Sequence, residues 1–176
     1  MYDIHVITMN FMEEMYDTKR MEDGDMSEIP MIKILYNSCT GGFRLSEAFL
    51  QEYFRRTGQE APRLGGQSPH TMQQIRIHPV AIQIAEEFGL RWSSGRNSRL
   101  TVETIPVVFA DYWEIDEYHG DETIIVNVHH ALSDALERFM ITGDHGKLQA
   151  EYEEIKHAEK VYNEIKQTRA LFHSFA

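Results

Sequence analysis

The run Ile32-Lys33-Ile34-Leu35-Tyr36-Asn37-Ser38-Cys39-Thr40-Gly41-Gly42-Phe43-Arg44-Leu45-Ser46 constrains the fold more than any other stretch. Strand-forming apolar residues end in small ones, two glycines follow, and Ser46 is placed to begin a helix. In a strand, tight turn and helix start of this kind, backbone N–H groups and a helix dipole can converge on an anion. The same turn also serves as a purely structural handover from strand to helix. Cys39, the single cysteine of the chain, suits a small buried side chain there.

Elements follow from local punctuation. Residues 31–37 read as a strand. Ser46 and Glu47 open a helix to about Thr57, with Phe49, Leu50, Tyr53 and Phe54 on one face and Gly58 ending it. Residues 59–75, with Pro62, Gly65-Gly66 and Ser68-Pro69, read as a loop or insertion. Pro79 and Gly89 bracket a second helix over 79–88. Strands are expected at 100–108, 112–118 and 122–128, the last two joined as a hairpin across His119-Gly120-Asp121. Helices follow from His130 to Met140 and from Lys147 towards Phe172. In the second of these Leu148, Ile155, Tyr162 and, out of pattern, Arg169 recur every seven residues, with Glu151, Ala158, Ile165 and Phe172 as companions. Such a stripe packs either on the sheet or on a partner subunit.

The expected fold class is therefore α+β: a small, mostly antiparallel sheet (31–37, 100–108, 112–118, 122–128) covered by helices, with a long C-terminal helix. Residues 1–30 form an acidic extension, 31–128 the core domain and 129–176 a helical C-terminal extension. Within the first of these, 2–10 read as a strand and Phe11–Glu28 as a short helix or extended arm.

Charge narrows the partners. The net charge of −11 argues against non-specific duplex binding, which rests on Lys and Arg at phosphates. No apolar run reaches the length of a membrane span, and Asp3, Glu13 and Glu14 interrupt any secretory signal. One cysteine suits a reducing compartment. Residues 1–31 hold eight acids against Lys19 and Arg20, whereas 44–99 hold eight bases, all arginine, against five acids. Arginine's planar fork suits phosphate or carboxylate, including the protein's own carboxylates.

Individual motifs carry less chemistry. Cys39 is the candidate nucleophile, with His78 or His119 to activate it, yet no local pattern fixes a partner. His130 and Asp134, four apart, lack a third ligand, so no metal and no cofactor is expected. The Gly-Gly turn is neither a Walker loop nor a dinucleotide fingerprint. Glu114 and Asp116 alternate as on the solvated face of a half-buried strand.

Three blocks in order carry a resemblance. Asn37 to Ser46 fits the pattern N-x-C-x-G-G-F-x-L-S. Arg76-Ile77-His78-Pro79 precedes a helix ending Glu86-Glu87-Phe88-Gly89, and Ile105-Pro106 precedes Trp113-Glu114-Ile115-Asp116-Glu117-Tyr118-His119-Gly120-Asp121-Glu122. Over roughly residues 31–126 the chain resembles a group of small proteins of tailed phages and large DNA viruses. That group has Asp before the proline, where this chain has His78, and mostly lacks extensions like 1–29 and 129–176. The resemblance implies a viral origin and a shared α+β domain, and supplies no catalytic residue.

The leading expectation is a viral, non-enzymatic binding protein that sequesters an anionic, nucleotide-like molecule or a host or viral protein. Its candidate ligand-binding residues are Asn37, Cys39, Gly41, Gly42, Arg44, Arg76, Arg96 and Arg99. The alternatives are a structural or assembly component, as a homo-oligomer or complex member in the host cytoplasm or virion, and a cysteine-dependent enzyme using Cys39.

Overall fold

Ile34 and Leu35 are neighbours in the first strand, β1 (Met31–Asn37), and both are fully buried. Successive strand side chains point to opposite faces, so β1 must be covered on both sides. The computed structural model describes residues 29–61 and 69–173. The strand expected at 2–10, the arm at 11–28, and Pro62 and Gly65-Gly66 lie outside the described residues.

Strand β1 pairs antiparallel with β2 (Leu100–Pro106), Met31 opposite Pro106 and Asn37 opposite Leu100. After a 3₁₀ turn at Val107–Phe109, β3 (Trp113–Tyr118) pairs with β4 (Asp121–Val126). Their connection holds His119 at φ 53° and Gly120 at φ 87°, the double left-handed geometry of a tight hairpin turn. The sequence predicts one four-stranded sheet; the strands instead form two separate two-stranded ribbons. Where β1 approaches β4, the Asn37 N–H donates to the Glu122 carboxylate at 2.7 Å, so a side chain joins the ribbons instead of a backbone ladder.

One face of the β1–β2 ribbon carries α1 (Glu47–Thr57), α2 (Pro69–Ile77), α3 (Pro79–Phe88) and the short α4 (Leu90–Ser93). Leu35 and Leu100 bury there with Phe49, Tyr53, Ile75 and Ile84. The caps are those the residue types favour. Ser46 Oγ accepts the Phe49 N–H at 3.0 Å, and Gly58, at φ 69°, closes α1 onto Phe54 O. His78 Nδ1 accepts the Val80 N–H at 3.2 Å and caps α3, whose first helical residue is Pro79. Residues 69–75, expected as loop, are helical. Tertiary contacts override the Gly/Pro punctuation there, since Ile75 is buried in the core and Arg76 is anchored on the Leu35 carbonyl.

The opposite face carries the β3–β4 ribbon, α5 (Val128–Thr142) and α6 (His145–His173). Ile34 and Ile105 bury there with Phe109, Trp113, Ile124, Ala131, Leu148, Ile155, Ala158 and Tyr162. The seven-residue stripe of α6 thus faces this chain's own interior, and the C-terminal helices are part of the core. Arg169, the residue out of pattern, reaches the Glu103 carboxylate on β2. Full burial of side chains such as Leu148 and Ile155 stabilises by about 1.5–3 kcal/mol each.

Candidate functional site

Three loops meet at the end of β1: residues 38–45, residues 94–99, and the β3–β4 turn. They touch backbone to backbone because glycine stands at each contact. A Cβ on Gly41 would sit inside the Asn97 carbonyl, one on Gly95 would lie 2.8 Å from Leu45 O, and one on Gly120 would lie 2.6 Å from Gly42 N.

Asn37 ties the junction together. It is fully buried, and its amide is satisfied from within the chain. Its Nδ2 donates to Gly120 O at 2.6 Å and to Cys39 O, while Oδ1 accepts from the Arg99 N–H at 2.8 Å and Ser98 Oγ at 3.0 Å. The Cys39 thiol contacts Asn37 Oδ1 at 3.4 Å and Asn97 O at 3.5 Å, two amide oxygens that cannot act as a general base.

Beneath the turn lies a buried ion pair. Arg76 donates from its two terminal nitrogens to the two Glu122 oxygens at 2.8 and 2.7 Å, and donates again to Leu35 O at 3.1 Å. Its guanidinium carbon sits 3.8 Å from the centroid of the buried Phe43 ring. With the pair formed, Arg76 offers no free charge to a ligand.

A cavity of about 540 Å³ opens beside this pair, within the usual size of small-molecule sites. Gly41, Gly42 and Arg44 line it together with Gln73, Glu114 and Glu117, and Arg76 and Glu122 close its inner wall. Since Arg76 and Glu122 neutralise each other, the charge left to a ligand is that of Arg44, Glu114 and Glu117. The turn is therefore no simple anion cradle.

The structure thus brings Gly41, Gly42, Arg44 and Arg76 to one cavity and leaves Asn37, Cys39, Arg96 and Arg99 outside its lining. Arg99 turns away to donate to Ser38 O at 2.5 Å and Ser38 Oγ at 3.1 Å, and Arg96 projects from an exposed loop. Two further arginines pair locally. Arg55 and Arg56 bond Glu52 at 2.6–2.7 Å and hold its carboxyl down at about 2, with Arg55 the larger cause. Among the lining residues Gln73 carries no sequence signal. Glu114 and Glu117 stand inside a motif block, where Glu114 reads as part of a solvated strand face, and only the fold sets all three opposite the Gly-Gly turn. Asp134, weighed as a metal ligand, accepts a hydrogen bond from Tyr112 at 3.0 Å. Among the described residues no group of three or more His, Cys, Asp or Glu is placed to hold a metal ion. Nor is any helix among them long and apolar enough to cross a membrane. Compared with protein-family models, curated proteins and solved structures, the chain matches none.

Proposed function

We propose that the protein is a non-enzymatic binding protein, in the viral setting implied by the sequence resemblance, and that the cavity at Gly41–Gly42 is its ligand site. The ligand is small and nucleotide-like: an anionic group meets Arg44, and amine or amide donors meet Glu114 and Glu117. The single observation that carries this is the mixed lining, Arg44 with Glu114 and Glu117 beside the Arg76–Glu122 pair at a glycine turn, around a cavity of about 540 Å³. A purely anionic ligand would face two carboxylates without an ion-pair partner among the described residues, whereas one carrying donors satisfies both signs. Titration calorimetry against a panel of nucleotides and cyclic dinucleotides tests it. Binding that weakens about tenfold in both Arg44→Ala and Glu114→Ala is expected, the loss of one charged contact each. No heat from any member of the panel removes the small-molecule role.

An assembly role is favoured by a separate observation. Met140 and Ile141, adjacent at the end of α5, are 68% and 84% exposed. Light scattering of the full chain decides: a mass above one chain that falls to one chain in Met140→Ser/Ile141→Ser is expected, and a monomer in both removes the role. Deleting 147–176 would not test it, because that strips Leu148, Ile155, Ala158 and Tyr162 from the core.

A further inference from the structure

A second cavity, of about 470 Å³, lies between α6 and the ribbon ends, and nothing in the proposed function uses it. Tyr162, Lys166 and Arg169 line it from α6. Their spacing of four and then three residues puts them on one helix face. Tyr36, Thr101 and Glu103 line it from β1 and β2.

Two observations point to a missing partner. Tyr162 is 6% exposed, and its hydroxyl has no hydrogen-bond partner among the described residues. Buried hydroxyls in folded proteins are nearly always bonded, so an orphan of this kind marks a place for a water, an ion or a ligand atom. The second observation is charge. Glu103 bonds Arg169, and Glu122, which also lines the cavity, bonds Arg76. Lys166 is left as the cation without a carboxylate in ion-pair range among the described residues; its ammonium sits 5.4 Å from the Tyr162 ring centroid. Positive charge is thus in excess, and the hydroxyls of Tyr36 and Tyr162 add donor capacity.

We propose that this second cavity binds a small oxyanion, a carboxylate or a phosphate ester, held by Lys166 with the Tyr162 hydroxyl donating to it, while Arg169 stays paired with Glu103 in the wall. The preference against cations follows from the same balance, because both carboxylates in the wall are already held by guanidinium groups. Burial pushes the Glu103 carboxyl above the ordinary carboxylate range, with Arg169 and Lys166 opposing the rise.

The test is an amide-shift titration of the full chain with sodium phosphate and, separately, sodium acetate, each against sodium chloride at matched ionic strength. Saturating shifts at Thr101, Val102 and Lys166 beyond those in chloride are expected. Saturation by acetate assigns a carboxylate, and saturation by phosphate alone assigns a phosphate ester. Lys166→Gln, at an exposed position, weakens the response about tenfold, the loss of one charge-assisted contact. Tyr162→Phe also weakens it, without lowering the unfolding midpoint, since the hydroxyl has no partner to lose among the described residues. Arg44→Ala, in the first cavity, leaves it unchanged. A linear response equal to that in chloride, or equal affinity in Lys166→Gln, overturns the proposal.

Discussion

Arg76 and Glu122 form a bidentate ion pair, 2.7 Å at its shortest, with side chains only 8% and 3% exposed. Removing one partner leaves the other charge buried and uncompensated. Glu122→Leu alone and Arg76→Met alone should each cost about 3–5 kcal/mol, and the double variant should cost far less than their sum. Urea unfolding of all four proteins measures this; additive losses would show that the pair is not coupled.

Asn37→Asp is expected to destabilise by roughly 2–4 kcal/mol, because two donated bonds vanish and a second carboxylate arrives next to Glu122. Gly120 O and Cys39 O lose their partner together. Thermal denaturation checks it, and a melt within the error of the parent would mean the three loops stay together without this amide.

The adjacent glycines should differ in cost. Gly42 has φ 75° with open space around it, so Gly42→Ala carries only the left-handed penalty of about 1–2 kcal/mol. Gly41→Ala drives a methyl group into the Asn97 carbonyl and should cost about 3 kcal/mol or more. Circular dichroism melts of the two variants rank them, and the reverse order refutes the close approach of the loops.

Burial pushes the Tyr162 hydroxyl up to about 12, with the nearby Glu103 carboxylate adding to the rise and Arg169 opposing it. Between its ordinary value near 10 and about 12, the unfolded chain has released a proton that the folded chain keeps. Stability from this group is therefore full below the window and falls as pH rises through it. Tyr162→Phe should gain on the parent by about 1 kcal/mol near pH 11 relative to pH 8, read from urea midpoints. A constant difference between the two pH values would contradict the shift.

Elements bounded by local chemistry were legible in the sequence. Ser46 and Gly58, Pro79 and Gly89, and the His119-Gly120 turn each mark a boundary through their own hydrogen bonds or φ values. Helix α2 was not, because Ser68-Pro69 resembles a turn and its apolar content is sparse; what holds it is Ile75 in a core assembled from elsewhere. The site was legible only as far as the turn. Arg76 and Glu122 are 46 residues apart, and no local pattern announces that they cancel. The motif residue Asn37 was visible, but its task was not, since the groups it bonds lie as far as 85 residues along the chain. For α6 the seven-residue recurrence was plain, and the surface it packs on depended on the placement of both ribbons.

Strand β1 closes both hydrophobic interiors, Ile34 on one side and Leu35 on the next. Seven residues of backbone thus act as a common wall, and neither half can melt and leave the other roofed. Heating should produce one calorimetric peak with matching van 't Hoff and measured enthalpies, and protection against hydrogen exchange should be greatest along that wall.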